Sequence, residues 1–129
     1  MSTYLVFQAD LSPEQTAQVN AEGWGSSPAL EAYANLLLTR EDNAQQLADT
    51  ATMCGLYKFS YVVDTDTLDT LFDACNGHSK GGDIVRKLRS KANSMSVGDL
   101  IMDAWGQFHV CCSTGWKKID ASIELVGSN

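Results

Sequence analysis

The sequence predicts a single α+β domain: a mixed sheet that ends in a C-terminal three-stranded antiparallel meander and is packed by four or so short helices. Three features lead to this fold class. Some segments alternate with period two, others have helical spacing behind good capping residues, and turn formers divide the last part of the chain closely. A length of 129 residues suits one core and no internal repeat is visible, so the domain is expected to cover residues 1–129.

The first strand and the first helix are marked by adjacent signals. Residues 3–9 are rich in β-branched and aromatic side chains, which favours a strand. Ser12 can cap a helix, Pro13 suits its first position, and Gln15 completes the capping-box spacing. This helix is expected to end at Gly23.

A second helix is predicted behind the cap Ser27 and Pro28. Its apolar residues have the spacing of one buried stripe, namely Leu30, Tyr33, Ala34, Leu37 and Leu38. Residues 40–53 keep helical spacing with a single large apolar side chain, so they predict a weak helix.

Residues 56–64 alternate with period two, which predicts a central strand with one strongly aromatic face. That face consists of Tyr57, Phe59, Tyr61 and Val63. A third helix is expected behind a cap at Thr65 or Asp66, and Asn76-Gly77 should end it. Its apolar positions are Leu68, Leu71, Phe72 and Cys75.

A short basic helix is predicted at residues 83–92, after a glycine-containing linker. Its apolar side would carry Ile84, Val85 and Leu88, and its outward face would be cationic. The bases of this segment are Lys80, Arg86, Lys87, Arg89 and Lys91.

The meander is expected to run from residue 96 to 102, from 108 to 112 and from 116 to 123. Turns at residues 104–106 and 113–115 join these strands. Because both turns are short, neighbouring strands should be antiparallel.

The chain is acidic, but its charge is divided unevenly. The formal net charge is −7; residues 1–79 carry −9 and residues 80–129 carry +2. No apolar run resembles a membrane span, the N-terminus shows no secretory pattern, and the cysteines include no paired motif. We therefore expect a cytoplasmic protein with reduced thiols and no membrane partner.

The Ser96-Val97-Gly98-Asp99 segment is the first candidate site. In a structural interpretation Gly98 permits a bend and Asp99 accepts hydrogen bonds from nearby backbone amides. In the functional alternative Asp99 lies at the rim of a groove and binds a ligand.

Catalytic and metal-binding patterns are weak. Neither a nucleophile motif nor a phosphate-binding loop is present, so no enzymatic activity and no cofactor are predicted. A zinc site would use Cys75, His78, His109, Cys111 and Cys112. Their spacing lacks the two short paired ligand motifs that are typical of zinc sites, so core and surface roles are favoured.

Partner binding is predicted instead. Each tryptophan stands beside a glycine at a turn, where aromatic side chains are often exposed. The basic segment can contact phosphate or pair with the acidic half of the chain. The candidate residues are Trp24, Trp105, Trp116, Arg86, Lys87, Arg89 and Lys91.

Three motifs occur in order: Leu68-x-x-Leu71-Phe72-x-x-x-Asn76, then Ser94-Met95-Ser96-Val97-Gly98-Asp99-Leu100-Ile101, then Gly115-Trp116-Lys117-Lys118-Ile119. With them, residues 65–120 resemble the YodL-like module of phage and plasmid proteins, although Trp116 stands where phenylalanine is usual. The acidic first half is similar in style to small phage proteins, including those of cyanophages. The resemblance implies an accessory protein in the host cytoplasm and carries over no catalytic residue.

The preferred hypothesis is therefore a non-enzymatic phage accessory protein that binds a host protein, with transcription or defence machinery as targets. In one variant the acidic half mimics DNA. The alternative is a nucleic-acid-binding protein that uses residues 80–91.

Overall fold

The computed structural model describes residues 2–76, 84–89 and 94–121. The strands in these residues are β1 (Ser2–Ala9), β2 (Tyr57–Thr65), β3 (Ile84–Lys87), β4 (Leu100–Met102), β5 (Phe108–Cys112) and β6 (Gly115–Ile119). The α-helices are α1 (Pro13–Glu22), α2 (Pro28–Leu36), α3 (Ala44–Met53) and α4 (Leu68–Cys75), and a 3-10 turn covers Trp24–Ser26.

The strands form one sheet in the order β3-β2-β1-β4-β5-β6. This confirms the α+β class and the C-terminal meander. Every strand pair among the described residues is antiparallel, where a mixed sheet was expected. The long first strand lies at the centre, so β2 is internal as predicted. The meander strand β4 is shorter than expected, because residues 94–99 form loop and turn before it.

A β-bulge divides the aromatic side chains of β2 between the two faces of the sheet. The register with β1 changes between Val6, opposite Tyr61, and Phe7, opposite Phe59, so Ser60 has no partner of its own in that register. One extra residue reverses which face the following side chains point to. Tyr57 and Phe59 therefore pack in one cluster, whereas Tyr61 and Val63 pack in the other. The prediction of a single aromatic face is wrong.

Different helices pack against the two faces of the sheet. On the first, the α2–α3 face, helices α2 and α3 contribute small or aliphatic side chains, namely Ala32, Leu36, Ala44, Ala48 and Ala51. On the second, the α4 face, helix α4 packs Leu71, Ala74 and Cys75 against the sheet. The alanines of α3 are almost fully buried, which explains how a helix with little apolar volume can still close a core.

Local capping signals were reliable. Ser12 and Gln15 form the predicted capping box, and Ser27 caps α2. The cap of α4 is Thr67, so the expected caps Thr65 and Asp66 are wrong by one or two positions. Thr67 is the residue whose hydroxyl reaches the free backbone amide at the third position of the helix.

The buried stripe predicted for the second helix is wrong at its end. Helix α2 stops at Leu36, and the side chains of Leu37 and Leu38 are 63% and 65% exposed. Helical spacing no longer applies beyond Leu36, and Thr39 is the residue that turns inward and is buried. Phe72 of α4, also expected in the core, is 37% exposed.

The basic helix predicted at 83–92 is also wrong over its described residues. Residues 84–87 form β3, which pairs with β2 from Asp64 to Tyr61. The β-branched Ile84 and Val85 suit a strand, and the open edge of β2 supplies backbone partners that a short helix would lack. Leu88 and Arg89 follow the strand without regular secondary structure, and Lys80, residue 83 and residues 90–92 lie outside the described residues.

Candidate binding surface

Gly98 is fixed from three sides. Its φ of +93° lies in the left-handed region, and a Cβ added there would lie 2.8 Å from the Cβ of Leu36. Its N–H donates to the carbonyl of Cys111 at 2.7 Å, and its carbonyl accepts the hydroxyl of Tyr57 at 2.6 Å. This glycine permits the close approach of the turn to helix α2.

The carboxylate of Asp99 is buried beside that turn. It accepts hydrogen bonds from the N–H of Ser96 at 2.8 Å, from the N–H of Ala9 at 3.4 Å and from the amide of Gln8 at 3.5 Å. Burial raises the pKa of Asp99 to about 7, although these hydrogen bonds lower it. The structural interpretation of the Gly98-Asp99 pair is confirmed.

Asp99 also lines a small polar pocket of about 100 Å³ at the end of β1. Asp10, Tyr33 and Arg89 form other walls. The guanidinium of Arg89 donates to Asp10 at 2.6 Å and to the hydroxyl of Ser60 at 2.9 Å, and its side chain is only 22% exposed. Arg89 therefore links the segment after β3 to the bulge of β2 at Ser60 and to Asp10 at the end of β1.

The other predicted basic contacts lie along the sheet edge. Arg86 on β3 is 59% exposed and lies 3.9 Å from Asp64. Lys87 is exposed on the same strand, and Lys91 lies outside the described residues. The edge of the sheet therefore carries two described cations, one of them beside a carboxylate.

The three tryptophans are not brought together. Trp24 stacks on Tyr33 with ring centroids 5.9 Å apart. Trp105 is 81% exposed in the turn between β4 and β5. Trp116 on β6 packs against the core of the α4 face and lines a groove between α4 and β6.

His109 belongs to the meander. Its Nε2 lies 2.9 Å from Asp103, whose carboxylate also accepts the backbone N–H groups of Trp105 and Gln107. Burial by itself raises the pKa of Asp103, but these hydrogen bonds outweigh it and the pKa is lowered. Within residues 2–76, 84–89 and 94–121, no group of three or more histidine, cysteine or acidic side chains could hold a metal ion.

The buried thiols have a packing role. Burial raises the pKa of Cys75 and of Cys111 to about 12. Both stay protonated at neutral pH and are poor nucleophiles.

Three depressions meet at one end of the molecule. The polar pocket and the groove between α4 and β6, which measures about 420 Å³, share Val97. A third depression, of about 350 Å³, shares Ser113 with the groove and Leu37 with the pocket. We call this area the Val97 surface and define it by Leu37, Leu38, Phe72, Val97, Ser113 and Trp116.

The sequence indicated only part of this surface. Val97 and Trp116 lie in segments that it singled out. Helical spacing predicts that the leucines and Phe72 are buried, but α2 ends before the leucines and Phe72 of α4 is 37% exposed. A backbone hydrogen bond of 3.2 Å from Ser113 to Thr39 holds the leucine segment against the turn between β5 and β6.

Comparisons with protein-family models, with curated proteins and with solved structures returned no match to this chain. The resemblance of residues 65–120 to the YodL-like module therefore stays a prediction. No helix in the described part of the chain has the length and apolar character needed to cross a membrane.

Proposed function

We propose that this protein is a non-enzymatic phage accessory protein that binds a host protein through the Val97 surface and alters its activity. The observation that carries the proposal is the meeting of three depressions, two of which share Val97, with Leu37 and Leu38 exposed at the third. Exposed apolar side chains beside polar groups are typical of protein-binding surfaces. Transcription or defence machinery remains the proposed class of target, on the strength of the family resemblance.

The contacts of the polar groups support a binding role rather than catalysis. Both carboxylate oxygens of Asp99 accept hydrogen bonds from within the fold, and the guanidinium of Arg89 is paired with Asp10. The hydrogen bonds of Asp99 hold the Ser96–Asp99 segment in place. Arg89 and Asp10 satisfy each other within the same pocket.

The nucleic-acid alternative has less support in the fold. It used a continuous cationic helix face, whereas Arg86 and Lys87 lie on an edge strand and Arg89 is directed into the protein. If the alternative is right, duplex DNA should bind at about 50 mM salt and the affinity should fall steeply as salt rises.

Affinity capture from host lysate, followed by titration of the purified partner, tests the proposal. We expect the double variant Leu37→Ser with Leu38→Ser to raise the Kd at least about tenfold, because the complex would lose the free energy of burying two apolar side chains. Trp105→Ser is the matched control: its side chain is even more exposed, but it lies at the opposite end of the meander strands. A partner that is lost with Trp105→Ser and kept by the leucine variant would overturn the assignment of the surface.

A further inference from the structure

The groove between α4 and β6 differs from the other depressions in its chemistry. Its sides carry the aromatic rings of Phe72 and Trp116, and the carboxylates of Asp69 and Asp73 stand beside them. The three α4 residues are spaced i, i+3 and i+4, so they project from one side of the helix. An apolar groove thus has an anionic rim along one edge.

The carboxylates of Asp69 and Asp73 lie at the surface. Both residues are exposed, and neither side-chain carboxylate forms an ion pair or hydrogen bond with another described residue. Strand β6 carries two cations, Lys117 and Lys118, and neither lines the groove. Lys117 stands opposite Val110 and so projects to the α2–α3 face, whereas Lys118, opposite His109, lies on the same face as Trp116.

Trp116 and Cys111, which both line the groove, form a cross-strand pair. Trp116 lies directly opposite Cys111 in the β5–β6 register, so its indole lies over the α4 face of the sheet. An indole face attracts a cation, and a guanidinium can stack on it while donating to carboxylates in its own plane. The groove measures about 420 Å³, which is ample for one long side chain and its aliphatic stem.

We propose that this groove is the docking site for an arginine side chain of the protein partner. The assignment rests on the proposed function, because it names the chemistry by which the Val97 surface recognises its partner. Charge complementarity supports it: residues 1–79, which include α4, carry a formal charge of −9 and would attract a cationic segment.

The experiment is a titration of the full chain with N-acetyl-arginine methylamide, followed by two-dimensional NMR. The uncharged citrulline analogue is the control probe. We expect saturable shifts at the Trp116 indole with a millimolar Kd for arginine, at least about threefold tighter than for citrulline. The indoles of Trp24 and Trp105 are internal references that should stay unchanged.

Two charge-matched variants complete the test. Asp69→Asn with Asp73→Asn should weaken arginine binding at least about threefold. Glu14→Gln with Asp49→Asn removes the same charge from α1 and α3 and should have little effect. Equal affinity for citrulline, or unchanged binding in the α4 variant, would overturn the proposal. Because no host protein is used, that failure would leave the leucine test of the proposed function unaffected.

Discussion

The polar pocket and the α4–β6 groove meet at Val97, yet their acidic groups are bonded in opposite ways. In the pocket, the carboxylates of Asp99 and Asp10 accept hydrogen bonds from the fold itself. In the groove, the carboxylates of Asp69 and Asp73 have no partner among the described residues. The acids of the pocket therefore serve the scaffold, while the exposed acids beside the aromatic rings are the ones that the proposed arginine site uses.

The largest predicted effect is on the pH dependence of stability, and it comes from the buried acid Asp99. The pKa of Asp99 is raised in the folded state, from 3.8 to about 7, so the folded protein holds a proton that the unfolded chain releases. Stability from this group is therefore present at low pH and is lost as pH rises from about 4 to about 7. At about 1.4 kcal/mol per pKa unit the loss is on the order of 4 kcal/mol.

Urea unfolding at several pH values measures this loss. Asp99→Asn should remove the decline between about pH 4 and pH 7, because an amide does not titrate. Asp103 acts in a different window: its pKa is lowered, so its contribution is lost only as pH falls below about 4. Asp69→Asn is the control and should keep the decline. The same slope in the wild type and in Asp99→Asn would contradict the raised pKa of Asp99 in the folded protein.

The turn beside Asp99 should be nearly as sensitive. Gly98→Ala is expected to cost about 3 kcal/mol, since a Cβ would meet both the side chain and the backbone of Leu36 at a positive φ. Gly106→Ala is the matched control, because its φ is also positive, at +79°, but nothing lies within 4 Å. It should cost about 1 kcal/mol. If urea unfolding shows the same loss of stability in both variants, the steric clash with Leu36 contributes little.

Substitution of the two described arginines of the basic segment should reduce the stability of the fold to different extents. Arg89→Met leaves Asp10 without its partner in a mostly buried pair, which is expected to cost about 1–2 kcal/mol. Arg86→Met removes a longer, exposed contact with Asp64 and should cost less than about 0.5 kcal/mol. Thermal unfolding of both variants measures the difference. A larger loss for Arg86→Met would contradict the assignment of Arg89 to the scaffold.

The groove acids should matter least to the fold. Asp69→Asn should cost about 0.5 kcal/mol or less, through the lost interaction of an acid with the first turn of α4. Asp73→Asn should be close to neutral, because it lies in the last turns of the helix. If either variant costs as much as Arg89→Met in the same unfolding experiment, the groove carboxylates are part of the scaffold and the contrast with the pocket fails.

Features that depend on neighbours along the chain could be predicted from the amino-acid sequence. The capping box at Ser12, the cap at Ser27 and the short turns of the meander all act within a few residues, so their signals predicted helix starts and antiparallel neighbours correctly. The hydrogen bond from the backbone N–H of Ser96 to the carboxylate of Asp99 is equally local. The fold class followed from these elements and their order.

The contacts between distant segments are visible only in the tertiary structure. Backbone pairing with the open edge of β2 made residues 84–87 a strand, and the bulge at Ser60 divided the aromatic side chains between two cores. The end of α2 exposed Leu37 and Leu38, which a helical stripe would have buried. The Val97 surface exists because the end of α2, one side of α4 and the turns of the meander come together. No local pattern records that, since it depends on how the whole chain satisfies its backbone hydrogen bonds and packs its core.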